Sequence, residues 1–276
     1  SAIRAALLEG EADIAVHSFK DLPTGRPLGL AIGAVPARAD PRDALVARDG
    51  LTLHDLPQEA SVGTGSPRRA AQLLAVRPDL TIVDIRGNVD TRLGRVKGLG
   101  HYAKGGGKED LDAVVLAASG LARLGHSGTV TEFLDPSVVL PAPAQGALAV
   151  ECRTADSRHG KLAKALARID DRRTRLAATA ERAVLSHLEA GCAAPIGALA
   201  QLKPVSGSSP QVLTLDVVVA TVDGSRIIRE QVSVELPAEV DSALAAAHTL
   251  GVTAAEELLD DGAADVADLK ASGSTR

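Results

Sequence analysis

Short apolar runs alternate with helically spaced segments along the first half of the chain. ADIAVHS (12–18), SVGTG (61–65), TIVDIR (81–86) and DAVVLAA (112–118) are runs of strand length. Between the later runs, AAQLLAVR (70–77) and VDTRLGRVKG (89–98) are spaced like amphipathic helices. Strand, helix, strand in repetition predicts a parallel sheet with helices on its faces. Pro- and Gly-rich stretches at 23–41 and 136–146 interrupt the alternation and read as hinges or linkers. A chain that leaves one α/β unit, builds a second and returns crosses between them twice.

The last third is patterned differently. Residues 170–190 read as one long helix, with Leu176, Ala180, Ala183, Val184 and Leu188 on one side and Gly191 as its stop. Apolar segments 196–202, 212–221 and 226–234 follow, the last two joined by Asp223 and Gly224, a hairpin signal. An Ala-rich acidic helix covers 238–260, so this part predicts an α+β unit with an antiparallel sheet. GLGHYAKGGGKED (98–110) reads as a mobile surface loop. The chain opens on SAIRAALLEG, spaced like the middle of a helix, and holds no Met; the expectation is that a native N-terminal piece precedes it.

Length adds domain count: 276 residues exceed one ordinary core, which predicts two or three domains. A 45% hydrophobic and 24% charged composition is globular rather than disordered. Aromatics make up only 1% (Phe19, Tyr102, Phe133), so the core must be Ala, Val, Leu and Ile, and base stacking is almost unavailable. The net charge of −5 argues against a general polyanion binder. Locally the balance reverses: Ser61 to Lys108 holds nine basic residues against three acids. That concentration suits a small, multiply anionic ligand better than a nucleic acid. No uncharged apolar run approaches the ~18 residues of a membrane span, and the chain is expected to be soluble, cytoplasmic and without a membrane partner. Cys152, Cys192 and the seven histidines show no metal spacing, so no metal is expected.

Candidate chemistry falls where strands hand over to helices, the ligand-binding edge of open α/β sheets. HSFKDLPT (17–24) offers Ser18, Lys20 and Asp21 within one turn, which taken alone is better read as a mute surface ion pair. In GTGSPRRAAQL (63–73), Ser66 fits an N-cap and Pro67 the first helical position, so Arg68 and Arg69 stand at the positive end of the helix dipole. That costs roughly 0.3–1 kcal/mol each, and an anion would reverse the sign. IRGNVDTRL (85–93) repeats the arrangement, with Asn88 as cap and Arg86 and Arg92 beside it. AASGLARLG (117–125) does so again with Ser119 as cap and Arg123 one turn in. Three strand ends each delivering arginine point to an anion-binding wall. Cys192, in EAGCAAPIG, belongs to a loop thiol; Cys152, in ALAVEC, reads as buried and inert.

Taken together, DIAVHSFKDLPT, VGTGSPRRAAQL, IRGNVDTRL, LAASGLARLG, LPAPAQGALAVECR and ERAVLSHLEAGCAAPIGA resemble the hydroxymethylbilane synthase, or porphobilinogen deaminase, family, in the family's order over residues 1 to about 200. The resemblance implies an α/β protein with two periplasmic-binding-protein-like domains and a C-terminal α+β domain with a small antiparallel sheet. It divides the chain into 1–38 with 144–168, 39–143, and a cofactor-carrying 169–276. It implies head-to-tail condensation of four porphobilinogen molecules with release of ammonia, on a dipyrromethane held by a thioether to Cys192. Asp21 matches the carboxylate that stabilises the cationic azafulvene and assists proton transfer. Ser18, Lys20, Thr64, Ser66, Arg68, Arg69, Arg86 and Gly146 match cofactor contacts, and Arg92, Arg123 and Gln145 substrate contacts. Gly65 stands where the family usually has a second Ser, and segment 98–110 is longer than usual. The implied protein is a monomeric enzyme. The rival from another class is a non-catalytic two-lobed solute-binding module for a small organic polyanion, which leaves the loop cysteine and the carboxylate Asp21 unexplained.

Overall fold

Three separate sheets organise the computed structural model, which describes residues 2–25, 27–188, 194–203 and 211–267. The chain starts on α1 (Ala2–Glu9), buries Leu7 and enters β1 (Ala15–Ser18). A 3-10 turn, Phe19–Asp21, follows at once, and β2 (Leu30–Ala34) lies beyond it. A first crossing leads to β3 (Asp43–Ala47), β4 (Ser61–Gly63), α2 (Pro67–Val76), β5 (Thr81–Val83), α3 (Val89–Leu93), β6 (Ala113–Ala117), α4 (Ala118–Arg123) and β7 (Glu132–Phe133). A second crossing returns the chain to β8 (Leu148–Arg153), which inserts between β1 and β2. The two crossings thus fall in the two Pro- and Gly-rich stretches.

Strand direction departs from the sequence expectation. Only β5, β4 and β6 run parallel; β3 is antiparallel to β6 and β7, and β8 is antiparallel to both its neighbours. A parallel pair needs a crossover, which α2 supplies between β4 and β5 and α3 between β5 and β6. β3 and β8 each arrive straight from a crossing between lobes, with no helical connection to fix their direction. β2 and β3 themselves carry no strand signal in the pattern: LAIGA lies inside a Pro- and Gly-rich stretch, and DALVA is buried on both faces, so it lacks alternation.

Helix extents also differ in two places. VDTRLGRVKG is helical only to Leu93, where Gly94 caps it. The Gly-rich segment after it packs back on the helix: the Glu109 N–H donates to the Gly94 carbonyl at 3.3 Å, and the Glu109 carboxylate accepts the Gly100 N–H at 2.8 Å. At α4 the N-cap is Ala117, and Ser119 lies inside the helix without a capping bond. The strand β6 runs directly into that helix, leaving no loop residue to act as a side-chain cap.

The last unit begins after α5 (Gly160–Ile169) with α6 (Arg172–His187), β9 (Ile196–Leu202), β10 (Val212–Ala220), β11 (Ile227–Glu235), α7 (Val240–Asp260) and α8 (Ala263–Val266). Its antiparallel order, β11-β10-β9, and a hairpin with Gly224 at φ 70° follow the sequence reading. Gly191 lies outside the described residues. Leu176, Ala180 and Val184 of α6 pack with Leu215 and Val217 of the sheet and Ala247, Leu250 and Ala254 of α7. Gly251 lets α7 approach so closely that a Cβ there would strike the Ala180 carbonyl. Small residues on both helices thus build a dense core without aromatic rings.

One carboxylate ties both crossings to this unit. Glu181 of α6 is fully buried and faces Arg38 of the first crossing, at 2.6 Å to Nη1 and 3.0 Å to Nη2. It also accepts the Ala144 N–H of the second crossing at 2.5 Å and the Ala200 N–H of β9 at 2.8 Å. Arg38 Nε donates to the Gln145 carbonyl at 2.8 Å. Gly146 completes the contact: its φ is 83°, and a Cβ there would lie 2.7 Å from the Ala39 carbonyl oxygen.

Candidate active site

The start of α2 sets the centre of the site. Ser66 caps it weakly, accepting the Arg69 N–H at 3.5 Å, and Thr64 Oγ1 accepts the Ser66 N–H at 3.2 Å. Arg68 and Arg69 do not spread into solvent; their side chains are 5% and 7% exposed. Both turn onto Asp43, the first residue of β3, whose side chain is fully buried. Arg68 Nη1 lies 2.8 Å from Oδ2, and Arg69 Nη2 and Nε lie 2.7 and 2.9 Å from Oδ1. Arg68 also donates to the Leu140 carbonyl at 2.6 Å, and Arg69 to the Val115 carbonyl at 3.2 Å.

The dipole conflict read from the sequence is therefore relieved in part from within. Burial opposes ionisation of Asp43 most strongly, yet the two guanidinium groups outweigh it and hold the carboxyl below the usual carboxylate range. Burial likewise pulls Arg68 below its ordinary value. Two cations on one carboxylate leave a positive charge unmatched.

Gln145 links this cluster to the first lobe. It is fully buried, donates from Nε2 to Asp43 Oδ1 at 2.9 Å and to the Pro41 carbonyl at 2.8 Å, and accepts from Lys20 Nζ at 3.4 Å. Lys20 is half-buried, and burial, then the Arg69 charge, push its pKa down. The 3-10 turn explains its reach: Phe19 and Leu22 are buried, which turns Lys20 toward the seam and leaves Asp21 exposed beside it. Ser18 is half-buried at the end of β1.

Arg92 joins the edge of the cluster: burial, then the Arg69 charge, lower its pKa, and its Nε donates to the Gly87 carbonyl at 2.8 Å. Asn88 caps α3 as expected, accepting the Thr91 N–H at 2.8 Å. Arg86 and Arg123 stand apart on the surface: the Arg86 side chain is 91% exposed with Asp84 at 3.6 Å, and Arg123 is exposed at the end of α4. Cys192 lies outside the described residues. Cys152 is fully buried, and burial, with Asp156 adding to it, pushes its thiol up. A cavity of about 920 Å³ opens elsewhere, lined by residues including Phe19, Leu22, Arg175, Arg182 and His248; it does not include the cation cluster.

Asp43 is the site residue that sequence reasoning missed. Its signal was present, an acid opening an otherwise apolar run, DALVA, in a chain whose neighbouring loops carry unmatched arginines.

A cationic cluster drawn from two α/β lobes, with an exposed carboxylate beside it, defines a class: two-lobed α/β proteins with a cationic seam. Comparison with known sequences narrows it. Residues 1–161 match the family described as porphobilinogen deaminase, dipyromethane cofactor binding domain, and residues 175–260 match its C-terminal domain. The chain is 96% identical over its whole length to the porphobilinogen deaminase of Cutibacterium acnes, of which it covers 83%. It is 51% identical to that of Micrococcus luteus, with 95% of this chain and 78% of the relative covered. It is 50% identical to that of Thermobifida fusca, at 99% and 80%. The chain belongs to the porphobilinogen deaminase family. It is a transferase, and the reading as a non-catalytic solute-binding module is not supported.

Proposed function

We infer that the chain joins porphobilinogen units head to tail, releasing ammonia at each step, on a dipyrromethane attached to Cys192, with the Lys20, Arg68, Arg69 and Gln145 cluster receiving carboxylates. The convergence of Arg68 and Arg69 on one buried acid, with Lys20 joined to it through Gln145, carries this reading of the site. The donor set fits: each porphobilinogen unit brings an acetate and a propionate, and guanidinium forks pair with carboxylates in bidentate fashion. The unmatched positive charge around Asp43 favours an added anion.

When bound, the dipyrromethane supplies the pyrrole carbon on which the chain is extended. The protein's own residues do the rest. Arg68, Arg69 and Lys20 hold carboxylates, and Arg92, Arg86 and Arg123 extend the wall toward solvent as the product lengthens. Thr64, Ser66, Ser18 and Gly146 shape the floor. Asp21, an exposed carboxylate beside Lys20, is suited to stabilise positive charge on a pyrrole as ammonia leaves and to accept a proton. We assign residues 1–38 with 144–168 to a first domain, 39–143 to a second and 169–276 to a cofactor-carrying third. Among the described residues no helix is long and apolar enough to cross a membrane. The net acidity and the scarcity of aromatics argue against a nucleic-acid partner, and we propose a cytoplasmic enzyme that works as a monomer.

Intact mass under denaturing conditions tests the attachment. The expected result is a covalent addition of two pyrrole units on the unsubstituted chain and on Cys152→Ser, and none on Cys192→Ser. An addition that survives in Cys192→Ser removes that residue from the role.

A further inference from the structure

His126 is used by nothing described so far, yet it joins two of the elements that carry the arginine wall. Its Nε2 lies 2.8 Å from Asp90 Oδ1, a side-chain bond between the turn after α4 and the first turn of α3. Both ends are rigidly tied to their own helices. The His126 N–H donates to the Leu121 carbonyl at 2.8 Å, and the Asp90 carbonyl accepts the Gly94 N–H at 2.9 Å. The imidazole is braced from a third direction by Tyr102, whose ring meets it edge-on at 5.0 Å between centroids and 86° between planes. Tyr102 comes from the Gly-rich segment, and the His101 ring lies beside it at 4.4 Å between centroids, tilted by 38°.

The placement relative to the arginines is what makes this contact more than a surface bond. Arg92 stands two residues beyond Asp90, with Nε held to the Gly87 carbonyl, so among the described residues both terminal nitrogens remain as donors for a carboxylate. Arg123 stands three residues before His126 and, among the described residues, has no hydrogen-bond or ion-pair partner. Two short helices carrying long flexible cations bind a carboxylate-rich chain well only if their spacing is fixed beforehand. We propose that His126 is a positioning residue for substrate binding: through Asp90, and with Tyr102 behind it, it locks α3 to the end of α4 and holds Arg92 and Arg123 in one frame. The Gly-rich segment then has a role as the buttress of that lock. This rests on the reading of Arg92 and Arg123 as substrate contacts given above.

Steady-state kinetics on cofactor-loaded enzyme tests it. His126→Ala is expected to raise KM for porphobilinogen about three- to fivefold, the size of a half-exposed ionic hydrogen bond, with kcat and cofactor loading unchanged. His126→Gln, whose amide N–H reaches the same carboxylate, is expected to restore KM, and Asp90→Ala with His126→Ala to be no worse than either alone. An unchanged KM in His126→Ala, a raised KM that Gln does not rescue, or additive single effects would overturn the proposal. Arg92→Ala and Arg123→Ala separate it from the reading beneath. A raised KM in those variants with a normal His126→Ala keeps the wall and removes the lock. A normal KM in them with a raised KM in His126→Ala overturns the proposal, since His126 would then act through something other than Arg92 and Arg123.

Discussion

Asp21→Asn is expected to leave folding and ligand capture intact while lowering turnover by about 10²- to 10⁴-fold, the usual contribution of a positioned proton-transfer group. The carboxylate is exposed at the end of a 3-10 turn whose anchoring side chains are Phe19 and Leu22, so the fold does not rest on it. Asn keeps the shape and loses the negative charge and the basicity together. Loss of the charge also removes the attraction that stabilises the Lys20 ammonium. The check is kcat beside intact mass and thermal melting of the same preparation. Normal turnover in a folded, loaded Asp21→Asn would take this residue out of the mechanism.

Asp43→Ala is expected to destabilise the protein by about 3–5 kcal/mol, because it leaves two guanidinium groups buried without their acid. In a chain of this size that corresponds to a fall in melting temperature of roughly 6–20 °C. The melt is expected to be steeper in its pH dependence for the unsubstituted protein. Asp43 titrates below its unfolded value of about 4, so its contribution is complete above that pH and fades as the pH falls through the depressed folded value. Melting temperatures from pH 3 to pH 7 check both statements: the variant should melt lower at neutral pH, and the gap should narrow in acid. A variant that melts with the parent across the range would show that Arg68 and Arg69 need no internal counter-charge.

Much of this arrangement was legible in the sequence. The two Pro- and Gly-rich stretches marked both crossings, and Ser66, Pro67 and Asn88 marked their helix starts, because caps and hinges are written in local chemistry. What stayed hidden depends on long-range pairing. DALVA gives no alternation because it is covered on both faces, and the direction of β8 depends on where the second crossing delivers it. The same holds within the site. Arg68, Arg69, Lys20 and Gln145 gather at the seam, but the acid between Arg68 and Arg69 comes from a strand whose neighbour in the sheet lies about seventy residues along the chain. Arg86 and Arg123 share the strand-end position of the others and still point outward, since position in the sheet does not fix where a long side chain settles.

The four-way junction at Glu181 bears on modularity. A fragment stopped at residue 168 would retain both α/β lobes and every described cation of the seam, yet it would leave the two terminal nitrogens of Arg38 and the Ala144 amide without their carboxylate acceptor. The C-terminal unit is thus a keystone for the pivot between the lobes. Dissecting this protein into separately folding pieces would dismantle the pivot before it touched the chemistry.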